Sequence, residues 1–143
     1  MRVTTKTIYA LQLLLALAER ARISKAPLHL REIAEAHGLP FKFLEQIAIS
    51  LKGAGWIHGQ RGKEGGYILS VDPAVLTLGQ VIRLMEGENG SMRLTPSNPV
   101  EEAIEAVLGR CRTAIEGVVD ATSLSELAAD VHRSRPTEPE YQI

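Results

Sequence analysis

Glycine beside cations, carboxylate beside amide, a single thiol and scattered imidazoles are the residues of this chain whose types and spacing could do chemistry. The densest stretch is RGKEGGYILS at 61–70, where Arg61, Gly62, Lys63, Gly65 and Gly66 precede an apolar, β-favouring run. Glycines next to a lysine can cradle a phosphate, and a Walker loop is the sharpest form of that reading. Such a loop needs a glycine five residues before its Gly-Lys pair and a Ser or Thr directly after it. Ile57 and Glu64 occupy those places, and Glu64 would repel a phosphate. The other use of the glycines is conformational: a tight hairpin tip where φ is positive or where another backbone comes close. WIHGQR and YILSV flank the tip with β-branched and aromatic residues, as a two-stranded ribbon requires.

The thiol and imidazoles carry little. One cysteine, Cys111, excludes an intrachain disulfide and a Cys-based zinc cage, which agrees with a reducing compartment. His29, His37, His58 and His132 show no short metal-ligand spacing and are read as surface or cap residues. No nucleophile elbow, paired His-Glu metal helix or catalytic Cys-His signature is present, so the enzyme reading has no residues to carry it.

The elements around the ribbon give it a purpose. Residues 5–21 read as a helix, with Ile8, Leu11, Leu14, Leu15 and Ala18 at three-and-four spacing. LHLREIAEAHG sets Leu30, Ile33 and Ala34 on one face of a second helix that Gly38 stops. Only GLP separates it from a third, with Pro40 at the first helical position and Leu44, Ile47, Ala48 and Leu51 as the buried stripe. Two short helices across a tight turn make a helix-turn-helix, and the ribbon after them completes the order of a winged helix. Rotation by about 100° per residue puts Lys42, Glu45, Gln46 and Ile49 opposite the buried stripe, where they would face a major groove. The wing glycines would then let the backbone approach DNA phosphates.

TLGQVIRLMEG follows as a fourth helix, with Thr77 and Gln80 as a capping box and Leu78, Val81, Ile82 and Met85 buried. A loop at 87–98 rich in Gly, Ser, Asn and Pro leads to Asn98, Pro99 and Glu101 as cap, first and third positions of a long helix. Its seam, Ile104, Leu108, Cys111, Ile115, Val118 and Thr122, alternates spacings of four and three like a short coiled coil. From 99 to 122 the helix would be roughly 36 Å long, and it either packs on a second copy of itself or lies across the winged domain. Ser123 and Glu126 cap a last helix to about 133, and the tail is expected to be disordered. The fold expected is mainly α: a winged helix-turn-helix at 1–86, a loop at 87–98, dimerisation helices at 99–134 and a tail at 135–143.

Charge divides along the chain. Residues 1–83 hold eleven Lys or Arg against six Asp or Glu, a net of +5, while 84–143 hold five against eleven, a net of −6. A basic front suits a polyanion, and solvated surface charge is the competing explanation. The longest apolar run, IYALQLLLALA, has eleven residues and contains Gln12, well short of the ~20 of a membrane span. It also lacks a signal-peptide cleavage site and flanks, so the expectation is a cytoplasmic protein with no membrane partner.

The segments TTKTIYALQLLLALA, LREIAEAHGLPFKFLEQI, LKGAGWI, RGKEGGYILS, TLGQVIRLMEG and SLSEL stand in the order of a known family. The chain resembles the Rrf-two (Rrf2) regulators, bacterial winged-helix dimers that include iron-sulfur sensors. The resemblance implies that Thr5, Lys6 and Tyr9 hold DNA phosphates, that Glu45 reads a base and that Arg61 is the wing arginine. It implies a homodimeric regulator of double-stranded DNA, expected to be a repressor. Cluster-binding members carry three cysteines in the loop after the fourth helix, and residues 87–98 here contain none. The expectation is therefore no metal and no cofactor, with any signal arriving as a small molecule, a thiol change or a protein partner. A winged helix that docks proteins instead of DNA is the alternative, although such a face should expose aromatics and this chain has few.

Overall fold

Helix-favouring runs interrupted at Pro27, Gly38, Gly55 and Gly87 divide the described residues into six helices and one hairpin. The computed structural model describes residues 2–61, 66–87 and 94–134. The elements are α1 (Thr5–Ile23), α2 (Leu30–His37), α3 (Phe41–Gly53), β1 (Ile57–Gln60), β2 (Gly66–Leu69), α4 (Leu78–Glu86), α5 (Pro99–Val119) and α6 (Leu124–Ser134). The tail from 135 and residues 88–93 of the expected loop lie outside the described residues.

The helix-turn-helix follows its sequence signals closely. Gly38 takes φ 64° as the left-handed C-cap of α2 and returns its N–H to the Ala34 carbonyl. The stripe Leu30, Ile33, Ala34 of α2 meets Leu44, Ile47, Ala48, Leu51 of α3 in the core, and all seven are buried. Pro40 is the N-cap of α3 and not its first helical residue, because its extended ψ of 119° lies outside the helix. Gly55 at φ 80° turns the chain from α3 into the hairpin.

Helix α1 corrects the sequence reading. Its core face is Thr7, Ala10, Leu13, Leu14, Leu17 and Ala18, with only Leu14 and Ala18 shared with the expected stripe. Ile8 is 46% exposed, and Leu11 and Leu15 are half-buried. The central apolar run offers two overlapping stripes, and packing against α3, α4 and α6 selects the one holding Leu13 and Leu17. Leu78 is likewise half-buried, with Leu76 taking the core position just before α4.

The strands pair antiparallel in the register Ile57 with Leu69 through Gln60 with Gly66. A third segment joins them: the Leu28 N–H donates to the Tyr67 carbonyl and the Tyr67 N–H to the Leu28 carbonyl, both at 2.9 Å. This ties the base of the wing to the α1–α2 loop.

The last two helices return to the first. Thr77 and Gln80 form the expected capping box, as do Ser123 and Glu126. The chain at 122–124 runs alongside 76–78, with Leu78 N–H to Thr122 O and Leu124 N–H to Leu76 O at 2.8 Å each. Leu124 then enters the core, and α6 packs on α1. Helix α5 is an arm between these anchors, ending at Val119 and not 122. It spans 21 residues, about 31 Å at 1.5 Å per residue.

Candidate nucleic-acid interface

Burying Leu44, Ile47, Ala48 and Leu51 leaves α3 one possible outward face. Lys42, Glu45, Gln46 and Ile49 are all exposed on it, Ile49 by 69%. A cation, a carboxylate, an amide and a branched aliphatic side chain thus share two turns of one helix. These are the groups that discriminate base edges: amide to adenine, carboxylate to the cytosine amino group, apolar contact to the thymine methyl.

Two aromatic contacts fix this helix against its neighbours. The Tyr9 ring of α1 meets Phe43 edge-on, with centroids 5.6 Å apart and planes at 83°. Arg31 of α2 lies with its guanidinium carbon 4.3 Å from the Phe41 centroid. Tyr9 is half-buried through this packing, so it positions α3. Arg31 was not legible as a site residue, because its contact crosses between helices and leaves no spacing signal. A groove of about 440 Å³ runs from His29 and Arg31 past Glu45 and Ile49 to Gly66 and Tyr67.

Thr5 and Lys6 are exposed at the start of α1, where first-turn N–H groups lack intrahelical acceptors. No local spacing points to the partner behind them. Glu86, the last residue of α4, accepts the Thr4 N–H at 3.2 Å and the Thr4 hydroxyl at 2.9 Å through Oε2. A carboxylate at a helix N-terminus complements the dipole, yet it also sets a negative charge beside the residues expected to hold phosphates.

On the wing, Arg61 is exposed directly after β1. Gly62, Lys63 and Gly65 lie outside the described residues. Gly66 is assigned to the DNA-facing tip by sequence, but it pairs with Gln60 at the start of β2 and has φ 146°. A Cβ there would stand 2.8 Å from the Leu28 carbonyl oxygen. Its freedom serves a close approach within the chain.

The seam of α5 is uncovered in the single chain. Ile104 and Val118 are 48% and 65% exposed, Cys111 is exposed, Leu108 and Ile115 are half-buried, and only Val119 of this helix is buried. Val100 and Val107, 70% and 54% exposed, widen the stripe beyond the heptad positions. Around the seam, Arg112 pairs with Glu105, which also accepts the Leu94 N–H at 2.9 Å.

No group of three His, Cys, Asp or Glu side chains is placed to hold a metal ion among the described residues, and none of their helices is long and apolar enough to cross a membrane.

Comparison with known proteins agrees with this geometry. Residues 3–130 match the Rrf2 family, described as iron-dependent transcriptional regulators. The transcriptional regulator CymR of Bacillus subtilis is 33% identical over 129 residues, covering 90% of this chain and 91% of the relative. The solved structure of B. subtilis CymR, described as that organism's global cysteine regulator, superposes with a TM-score of 0.78 at 32% identity, covering 91% of this chain and 98% of that one. IscR of T. potens also gives 0.78, at 30% identity over 96% of this chain and 93% of its own. A winged helix-turn-helix with these relatives along nearly its whole length belongs to the Rrf2 family of DNA-binding transcriptional regulators.

Proposed function

We propose that the chain is a homodimeric, sequence-specific repressor that reads duplex DNA with α3, grips phosphates with the start of α1 and inserts Arg61 beside the minor groove. The observation that carries this reading is the outward face of α3, where Lys42, Glu45, Gln46 and Ile49 stand exposed on a helix locked by four buried side chains. Lys63 with Gly62 and Gly65 completes the wing in this reading. The exposed stripe from Val100 to Val118 on α5 is the surface for the second copy, since contiguous apolar patches on soluble proteins mark interaction sites.

The iron dependence in the family's description requires a donor set. An iron-sulfur cluster is held by several thiolates, and this chain has one cysteine, on α5 and outside the loop at 87–98. The residues do not fit such a cluster, and the reading assigns it no part.

Selection of DNA from a random pool by the purified protein tests the proposal. A palindromic consensus is expected, with Glu45→Ala relaxing one position in each half-site and Arg61→Ala weakening binding to all sequences while the protein still elutes as a dimer. Ile104→Glu should yield a monomer that has lost operator affinity. Retention of the same consensus by Glu45→Ala, or unchanged affinity of Arg61→Ala, would refute the assigned contacts.

A further inference from the structure

The second face of the wing holds a crevice that DNA recognition leaves unused. It lies between the last turn of α1, the loop at 24–26 and both strands, and encloses about 300 Å³. At ~30 Å³ per water that is room for about ten waters, or for one amino-acid-sized molecule, at the lower end of ordinary ligand sites.

Its chemistry is one-sided. Leu17, Ile68, Leu69 and the Tyr67 ring supply apolar wall, and Gln60 adds an amide. Arg20 and Lys25 supply two cations, and among the described residues no Asp or Glu lines the crevice. Arg20 is only 34% exposed, and its own chain engages it loosely. It reaches the Pro27 carbonyl at 3.4 Å and Glu32 at 4.0 Å, each at the outer limit of its kind. Five N–H donors in a planar fork are suited to a carboxylate taken bidentately, and among the described residues only the Pro27 carbonyl and Glu32 engage them.

We infer that this crevice binds a small organic carboxylate with an apolar body, its charge held by Arg20 and Lys25 and its body against Leu17, Ile68 and Leu69. Occupancy would bear directly on the wing. Gln60 immediately precedes Arg61, and Tyr67 carries the two 2.9 Å hydrogen bonds that tie β2 to Leu28. A ligand spanning α1, the loop and both strands fixes the hairpin relative to α1 and so sets where Arg61 is presented. This regulatory half rests on the DNA-binding reading above, whereas the site itself does not.

The test uses the full-length ¹⁵N-labelled protein and benzoate as probe, with benzamide as its neutral match and inorganic phosphate as a second anion. Benzoate is expected to shift the amide signals of Ser24, Gln60, Tyr67 and Ile68 saturably at millimolar concentration, and benzamide and phosphate to leave them in place. Arg20→Gln and Lys25→Gln should each weaken the effect, by about tenfold for the arginine as one charge-assisted pair is lost. Arg22→Gln, outside the crevice, should not. No saturable shift, an equal response to benzamide, or shifts with phosphate alone overturn the carboxylate site. Operator affinity measured with and without saturating benzoate judges the coupling separately: a change in the parent that Arg20→Gln abolishes supports it, and no change overturns it. If the parent binds no DNA at all, the DNA-binding reading fails while the amide shifts still decide the site.

Discussion

Replacing Gly66 by alanine separates an internal role for this residue from a DNA-facing one. At φ 146° an L-residue is strained, and the added Cβ would meet the Leu28 carbonyl oxygen at 2.8 Å, its carbon at 2.9 Å and the His29 nitrogen at 3.2 Å. All three are backbone atoms, so no side chain can swing aside. A disfavoured backbone region costs ~1–3 kcal/mol. Relief by moving the strand would break the paired Leu28 and Tyr67 hydrogen bonds, worth ~0.5–1.5 kcal/mol each. Either route predicts a loss of about 1–3 kcal/mol, or roughly 3–9 °C at about 3 °C per kcal/mol. Gly59→Ala is the matched control, because its Cβ would find only ordinary contacts at 3.7 Å or more in the same hairpin. The assay is urea unfolding at one fixed protein concentration, with both variants beside the parent. Parent-like stability of Gly66→Ala together with weakened operator binding would refute the argument and return Gly66 to the DNA-facing tip.

Three further outcomes are expected. Glu86→Gln keeps acceptors for Thr4 while removing the charge beside Thr5 and Lys6, so it should raise non-specific DNA affinity; titration of a random duplex at fixed salt checks it, and a fall in affinity would contradict it. Cys111→Ala and Cys111→Ser should leave operator affinity and its response to peroxide unchanged, with Ser the less stable only if a second copy buries the position; loss of DNA binding on oxidation in the parent but not in Cys111→Ala would make Cys111 a sensor. The Glu19 carboxyl is held below its usual 4.5, first by the His132 hydrogen bond, which outweighs the opposing desolvation, with Arg22 adding to it. Its contribution is present above that usual value and lost as pH falls below it, amounting to under ~1 kcal/mol because the group is largely solvated, and Glu19→Gln should flatten that part of the acid-unfolding profile.

The legible parts of the fold are those fixed by local chemistry. Gly38, Thr77 with Gln80, Asn98 with Pro99, and Ser123 with Glu126 each end or begin a helix by satisfying backbone groups within a few residues, so each signal is complete in sequence. The buried stripes of α2 and α3 are equally legible, because charged and polar residues such as Arg31, Glu32, Lys42, Glu45 and Gln46 mark the opposite face. Helix α1 shows the opposite case. Its run from Ile8 to Ala18 is apolar on most sides, and choosing Leu13 and Leu17 over Ile8 and Leu15 needs the positions of α3, α4 and α6.

The same distinction sorts the candidate site. The outward set on α3 follows from its inward set, so Lys42, Glu45, Gln46 and Ile49 could be read by rotation alone. Contacts between elements could not: Arg31 over Phe41, Glu86 behind Thr4, and Gly66 against Leu28 join positions 10, 82 and 38 residues apart, with no periodicity to announce them. Gly66 is the instructive one. A glycine beside a basic tip suggests close approach by a phosphate, and the need for close approach was correctly inferred from the missing side chain. What approaches is the chain's own Leu28, and that contact couples the wing to the α1–α2 loop and thereby to Arg20 and Lys25. In the reading proposed above, a ligand held by Arg20 and Lys25 would change the presentation of Arg61 without altering α3, because it meets the strands from the α1 side.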